Sequence, residues 1–214
     1  MKKLFLFDIE GTTTDISFVH QVLFPYAYEK MEPFIHEHGD RFEANLNTIA
    51  STREDQILKL KTWIKEDKKH PVLKEIQGEL WQSGYEKGEF TGHLYPDVLP
   101  FWKKIKQNGN EIGIYSSGSV WAQKLLFKHS DFGDLTPMIS FYFDTKVGGK
   151  RESSSYENIL KDISFESSDV TFFSDIPEEL QAASEVGIKT FQLLRPGTKP
   201  SGFASLQDFN QFVF

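Results

Sequence analysis

The sequence predicts an α/β protein built on a doubly wound parallel sheet. Short runs rich in Phe, Ile and Val recur at residues 4–9, 111–115, 141–143, 170–174 and 190–194, and their apolar residues are mostly consecutive instead of alternating with polar ones. Such runs are typical of strands that are covered on both faces. Amphipathic stretches such as "VWAQKLLFKHS" and "SYENILKDI" lie between them. This alternation of strand and helix favours a parallel sheet with helices on both sides.

Two of the predicted helices carry recognisable start signals. Ser119 stands directly before Val120 and is predicted to cap a helix that begins there. Ser154 and Glu157 have the spacing of a capping box and predict the start of the helix that contains "SYENILKDI".

Residues 16–95 break this alternation. Their pattern is helical and amphipathic with charged outer faces, and we find no convincing strand in it. Gly92 and Pro96 interrupt the periodicity near its end. We therefore predict an all-helical insertion at residues 16–95, set into an α/β core made of residues 1–15 and 96–214.

Composition excludes several classes of protein. The 214 residues are 39% apolar and 14% aromatic, enough for one core and a smaller unit. The net charge of −7 disfavours nucleic acid as a partner. The chain has no Cys, which rules out disulfides and thiolate chemistry and favours the cytoplasm. The apolar part of "MKKLFLF" ends at Asp8, too early for a secretory signal or a membrane span. We expect an untargeted monomer with no membrane partner.

Polar side chains follow four of the predicted strands. The carboxyl ends of parallel strands meet at one edge of a sheet, where ligands bind in open α/β folds. Any one of these residues alone could be structural, for example an acid that caps a turn. The residues at these strand ends are Asp8, Glu10, Ser116, Ser117, Lys150 and Asp175.

These residue types together favour a phosphoryl-transfer site. Asp8 and Asp175 would repel each other unless a proton or a cation lay between them. Carboxylate oxygens completed by water suit Mg²⁺. A divalent cation, a lysine and two hydroxyls can bind a phosphoryl group, and a shielded carboxylate can attack its phosphorus. Lys146 competes with Lys150 for the lysine role, but the "GGK" context favours Lys150.

The motifs resemble the four signatures of the haloacid dehalogenase superfamily. "DIEGT", "YSS", Lys150 and the "SD" at residues 174–175 follow one another in the order of that superfamily, and the helical stretch falls where it inserts a cap domain. The stretches "IQGELWQSGYEKGEFTGHLYPDV", "FDTKVGGKRESSSY" and "RPG" narrow the resemblance to the enolase-phosphatase branch, over residues 4–197.

The resemblance implies a role for each residue at the strand ends. Asp8 would be the nucleophile, and it would bind one Mg²⁺ per chain together with Asp175 and the backbone carbonyl of Glu10. The Glu10 side chain would transfer protons. Three further residues would bind the phosphoryl group: Ser116, Ser117 and Lys150.

The implied reaction belongs to methionine salvage. The substrate would be 2,3-diketo-5-methylthiopentyl-1-phosphate, enolised and then dephosphorylated through an aspartyl-phosphate to the acireductone 1,2-dihydroxy-3-keto-5-methylthiopentene. The enolisation base stays open among Glu10, His20 and residues of the helical insertion. The insertion also contains aromatic residues that could line a slot for the methylthio tail or form the core of the insertion: Phe24, Tyr26, Trp81 and Tyr85.

Three alternatives compete with this interpretation. A general phosphatase of the same superfamily, acting on a small sugar phosphate, is disfavoured because most such enzymes carry Asp where this chain has Glu10. A noncatalytic phosphoacceptor module would not need a helical insertion of this size. A glycosidase needs two carboxylates that flank a sugar, whereas Asp8 and Glu10 lie together on one loop.

Overall fold

The computed structural model describes residues 2–214, and this part of the chain forms two compact units. One unit contains Gly92–Phe214 together with the N-terminal segment through Ile16. The other unit is Ser17–Thr91.

A parallel sheet forms the centre of the first unit and confirms the predicted α/β fold. The strands are β1 (Leu4–Phe7), β2 (Glu111–Tyr115), β3 (Phe141–Phe143), β4 (Val170–Ser174), β5 (Lys189–Leu193) and β6 (Ser205–Leu206). Within the described residues the strand order is β3-β2-β1-β4-β5-β6, and every pairing is parallel. The chain runs outward from β1 to β3 and then returns to β4 on the other side of β1.

Helices occupy the segments between consecutive strands from β1 to β5 and make up most of the second unit. A π-helical turn, Val19–Leu23, joins the first two helices. The α-helices are α1 (Ile16–Phe18), α2 (Phe24–His38), α3 (Glu43–Asn47), α4 (Arg53–Lys65), α5 (Pro71–Glu86), α6 (Val98–Gln107), α7 (Val120–Lys128), α8 (Ser153–Asp162) and α9 (Pro177–Glu185).

The register of the central strands aligns their carboxyl ends. Phe7 of β1 lies opposite Ile114 of β2 and Phe173 of β4. The backbone N–H of Asp8 donates to the Phe173 carbonyl at 2.9 Å. Asp8 therefore lies directly at the carboxyl end of β1, beside β4. The residues that follow β1, β2 and β4 therefore emerge along one edge.

Both faces of the sheet are buried, which explains why its strands are continuously apolar. On one face, side chains of α8 and α9 such as Ile159 and Leu180 pack in one cluster with Leu4, Leu6 and Phe172. The other face is aromatic: its stacked rings include Phe7 with Phe173, and Phe101 with Phe209. Each fully buried Phe contributes about 1.5–3 kcal/mol of transfer free energy.

The two helix-start predictions had different outcomes. Ser119 caps α7 as predicted, because its Oγ accepts the backbone N–H of Ala122 at 3.2 Å. The prediction for Ser154 was wrong, since α8 begins at Ser153 and has Glu152 at its N-cap position, with no side-chain cap bond. A hydrogen bond to the preceding loop is found in the first turn of α8 instead: Ser155 Oγ donates to the Gly149 carbonyl at 2.7 Å.

The second unit is all-helical and has its own core. Met31, Leu60 and Ile76 are fully buried in that core. Of the aromatic residues considered for a ligand slot, Tyr85 is buried, and the others pack against the helical core: Phe24, Tyr26 and Trp81. These contacts favour a packing role for the four side chains.

The C-terminal end of the helical unit differs from the predicted one. The unit ends at Thr91, whereas the pattern predicts helical insertion through residue 95. The reason is local hydrogen bonding: Tyr95 N–H donates to the Thr13 carbonyl at 3.0 Å, and His93 Nδ1 accepts the N–H of Asp15 at 3.1 Å. These bonds hold residues 93–95 against the segment after β1. Among residues 2–214, the helices are too short or too polar to cross a membrane.

Candidate active site

The loop that follows β1 is a tight turn. The carbonyl of Ile9 accepts three successive backbone N–H groups, those of residues 12–14, at 2.9–3.1 Å. Gly11 has a φ of +76°, and a Cβ at this position would lie 2.4 Å from Asp175 Oδ2. Glycine is therefore required both for the backbone conformation and for the close approach of the Asp175 carboxylate.

Asp8 lies at the start of this loop and is 3% exposed. Lys150 Nζ donates to one of its carboxylate oxygens, Oδ1. The hydroxyl of Thr12 donates to the other, Oδ2, at 3.4 Å, and accepts the backbone N–H of Asp175 at 3.0 Å. Thr12 thereby links the two acidic residues, and Asp8 is oriented from both of its oxygens.

Lys150 also contacts a second carboxylate. Its Nζ lies 2.7 Å from Glu179 Oε2, and both side chains are buried. Burial alone would lower the pKa of Lys150, but the carboxylates of Asp8 and Glu179 together raise it above its usual value. Lys150 is therefore a protonated ammonium at neutral pH. Lys146, the competing lysine, is exposed.

Sequence reasoning missed Glu179. This residue lies in the first turn of α9, which begins at Pro177, two residues after Asp175. Ser174 Oγ donates to its carboxylate at 2.8 Å. Burial, followed by the nearby Asp8 charge, raises the pKa of Glu179 to about 7. The sequence feature that could have indicated Glu179 is an acidic residue in the first turn of the helix that follows the polar end of β4.

Glu10 is held by the end of β2. Ser116 is fully buried, and its Oγ donates to Glu10 Oε2 at 3.1 Å while accepting the N–H of Gly118 at 3.1 Å. Burial, and then repulsion from Asp8, raise the pKa of Glu10. A carboxyl group with a raised pKa keeps its proton to a higher pH than usual, as a general acid must. Ser117 follows at the same strand end and is half-buried.

Asp175 has an environment that suits a cation. Burial, and then the charge of Asp8, raise its pKa to about 7. Within the described residues, its Oδ1 is buried and has no hydrogen-bond partner. Such an atom is costly unless an ion, a proton or water satisfies it.

The donor set fits magnesium better than a softer metal. No group of three or more His, Cys, Asp or Glu side chains in residues 2–214 is arranged to hold a metal. Two carboxylates, from Asp8 and Asp175, would have to be completed by a backbone carbonyl and water. Mg²⁺ is bound in this way, through few carboxylates and several waters.

Hydrogen bonds and an ion pair connect five of the sequence-predicted residues in two groups. Asp8 contacts Lys150 and is joined to Asp175 through Thr12, while Glu10 contacts Ser116. A buried aspartate with a lysine and further acids at the carboxyl edge of a doubly wound sheet is typical of hydrolases that use an aspartate nucleophile.

Comparison with known proteins agrees with this class. A family model described as haloacid dehalogenase-like hydrolase matches residues 2–187. An enolase-phosphatase E1 of Cronobacter sakazakii is 51% identical over 197 residues, which cover 88% of this chain and 86% of that protein. An enolase-phosphatase E1 of Marinobacter nauticus is 46% identical over 210 residues, covering 94% and 91% of the two chains.

A solved structure matches along the whole chain. The crystal structure of the UTR4 protein of Saccharomyces cerevisiae is similar with a TM-score of 0.87 and 36% identity, over 99% of this chain and 100% of that chain. The chain belongs to the haloacid dehalogenase-like hydrolases and, within them, to the enolase-phosphatase branch.

Proposed function

We propose that this protein is an enolase-phosphatase that converts a diketone phosphate with a methylthio tail into an acireductone and phosphate. The names of its relatives support the branch. One structural observation carries the chemistry: Asp8 is buried with Lys150 on Oδ1 and the Thr12 hydroxyl on Oδ2. A carboxylate held in this way is positioned for attack at a phosphoryl group.

Asp8 is the nucleophile in this proposal. Its carboxylate oxygen forms a bond to phosphorus while the bond from phosphorus to the substrate oxygen breaks, leaving an aspartyl-phosphate. Water then attacks the phosphorus, inorganic phosphate leaves, and the Asp8 carboxylate is regenerated. The ammonium of Lys150 lies beside Asp8 and neutralises charge on the phosphoryl oxygens throughout.

Glu10 transfers the protons. In its protonated form it donates to the leaving oxygen of the substrate, and as a carboxylate it accepts the proton of the attacking water. The raised pKa of Glu10, caused by burial and by Asp8, supports this cycle. Ser116 Oγ donates to the Glu10 carboxyl at 3.1 Å. In the proposed complex with substrate, the hydroxyls of Ser116 and Ser117 would bind the phosphoryl group.

We further propose one Mg²⁺ per chain, held by Asp8, Asp175 and the backbone carbonyl of Glu10. The unsatisfied Oδ1 of Asp175 within the described chain supports this assignment. When bound, the cation would neutralise charge on the phosphoryl group and on the two carboxylates.

The remaining proposals concern the whole molecule. The helical unit Ser17–Thr91, inserted between β1 and β2, is assigned as the cap domain of the family. The lack of Cys supports a cytoplasmic location, and we propose a monomer whose partner is a small phosphorylated substrate.

Anaerobic incubation of the purified protein with Mg²⁺ and the diketone phosphate tests this function. Enol and acireductone absorbance are followed together with phosphate release, and both signals are expected. A chelator should stop phosphate release, and added Mg²⁺ should restore it. Phosphate released from common sugar phosphates but not from the diketone would contradict the enolase-phosphatase assignment and favour a general phosphatase.

The variant Asp8→Asn tests the nucleophile in the same assay. Its phosphate release should fall by at least about 10⁴-fold, because the attacking carboxylate is lost. Turnover comparable to that of the unmodified protein would exclude Asp8 as the nucleophile.

A further inference from the structure

A buried arginine contacts the nucleophile loop from outside the proposed catalytic residues. Arg195 follows β5 and is 6% exposed. Its Nη2 donates to Asp97 Oδ2 at 2.9 Å, and its Nε donates to the Thr12 carbonyl at 3.0 Å. One guanidinium thus joins the start of α6 to the loop that carries Asp8.

The orientation of this guanidinium is fixed by its surroundings. The Arg195 Cζ lies 4.1 Å from the ring centroid of Tyr95 and 5.2 Å from that of Phe209. Asp97 Oδ2 also accepts the backbone N–H of Phe209, at 2.7 Å, which holds the carboxylate in place. A planar guanidinium with an ion pair and aromatic contacts has little freedom to turn.

Thr12 transmits this constraint to the reacting group. Its carbonyl accepts from Arg195, while its hydroxyl donates to Asp8 Oδ2 at 3.4 Å and accepts the N–H of Asp175 at 3.0 Å. We propose that Arg195 is a positioning residue for phosphoryl transfer, acting through Thr12 to hold the Asp8 carboxylate in its attacking orientation. This inference rests on the proposed function of Asp8 as nucleophile.

The hydrogen bond from Arg195 Nε to the Thr12 carbonyl distinguishes a positioning role from a contribution to stability alone. A buried ion pair can often be replaced by uncharged residues without loss of stability, whereas removal of one partner leaves an uncompensated charge. The ion pair between Arg195 and Asp97 is expected to affect the free energy of unfolding in this way. The bond to Thr12 constrains the loop, and a displacement of about 1 Å at a reacting group can lower the rate roughly 100-fold.

Three variants separate the two roles: Arg195→Met, Asp97→Asn, and the double variant that carries both. Asp97→Asn removes the charge pair but leaves the Arg195 bond to Thr12. Arg195→Met removes both interactions. The double variant removes both charges together, so its thermal midpoint should recover relative to Arg195→Met while the Thr12 carbonyl still lacks its donor.

Each variant is assayed for thermal midpoint, kcat and KM at a temperature well below its unfolding transition. We expect kcat to fall roughly 100-fold in Arg195→Met and equally in the double variant, with KM nearly unchanged because the phosphate-binding groups are intact. Asp97→Asn should stay within about threefold of the unmodified kcat despite its lower midpoint. Recovery of kcat together with stability in the double variant would overturn the inference. So would a loss in Asp97→Asn as large as that in Arg195→Met.

Amide hydrogen exchange gives a readout that does not depend on turnover. The amides of residues 9–14 should exchange faster in the double variant than in Asp97→Asn, and equal exchange would also overturn the inference. If the unmodified protein released no phosphate, the proposed function would fail, and the exchange comparison would still decide whether Arg195 constrains the loop.

Discussion

The ammonium of Lys150 lies 2.7 Å from the Glu179 carboxylate, and both side chains are buried. Lys150 contacts the Asp8 carboxylate with the same atom. One lysine therefore faces two acids. Glu179 holds the ammonium beside Asp8 from α9, whereas Asp8 and Lys150 both lie outside the helices.

Replacement of Glu179 should impair catalysis without direct loss of a reacting group. In Glu179→Gln the ammonium loses one of its two charged partners, so its position beside Asp8 is held less strongly. We expect kcat to fall about 10- to 100-fold, as is usual when a charged, buried hydrogen bond is weakened. Steady-state phosphate release measures the change. The exposed neighbour Glu178 supplies the matched control, since Glu178→Gln should keep its full kcat. Full activity in Glu179→Gln would remove Glu179 from the site.

Replacement of the two candidate lysines should have different effects on kcat. Lys150→Ala should lower kcat at least about 100-fold, because the charge beside Asp8 is lost and the two carboxylates are left uncompensated. Lys146→Ala should have no effect, since the Lys146 side chain is exposed. Parallel kinetic assays of both folded variants decide between them. An unaffected Lys150 variant with an inactive Lys146 variant would reverse the assignment.

Asp175 should make the metal-free protein less stable as the pH rises. Burial and the Asp8 charge raise its pKa from 3.8 to about 7, so the native state binds the proton more tightly than the unfolded state. The stability that this proton contributes is fully present below pH 3.8, falls as the pH rises from 3.8 to about 7, and is lost above about 7. At pH 8 the native state therefore carries the full cost of the ionised carboxylate.

Asp175→Asn tests that cost. The variant should have a larger free energy of unfolding than the unmodified protein at pH 8, by on the order of 2 kcal/mol after allowance for partial exposure, and a smaller advantage at pH 5. Urea unfolding with chelator at both pH values measures the difference. The same variant should lose phosphatase activity. A metal-free variant that is less stable than the unmodified protein at pH 8 would contradict the prediction.

Gly11 and Gly109 offer a matched pair for the nucleophile loop. Both have left-handed backbones, with φ of +76° and +73°. Gly109→Ala should cost about 1–2 kcal/mol of stability from backbone strain and leave kcat unchanged, because no atom lies within 4 Å of the added Cβ. Gly11→Ala should cost more and also lower kcat, since its Cβ would displace the Asp175 carboxylate. Chemical unfolding and kcat are measured for both variants. Equal effects on kcat would show that the contact with Asp175 has no catalytic consequence.

The strands near the site could be predicted because burial on both faces leaves a direct mark on the sequence. The limits of β2, β3 and β4 agree with their apolar runs, and the β1 run extends two residues past the end of that strand. β6 could not be predicted, since a strand of two residues, Ser205–Leu206, has no periodicity to detect. The first turn of α8 is hydrogen-bonded to the loop around Gly149, and local capping rules do not describe such a contact.

The pattern of apolar residues along the chain is enough to place polar residues at the strand ends, and therefore to predict that Asp8, Ser116 and Asp175 emerge at one edge of a parallel sheet. This follows from hydrophobic burial, which acts along the chain with a regular pattern. Which atoms are in contact at that edge depends on how the separate elements pack in three dimensions. Glu179 reaches Lys150 and Arg195 reaches Thr12 because separate elements direct their side chains to a shared point, and no spacing along the chain encodes such a contact.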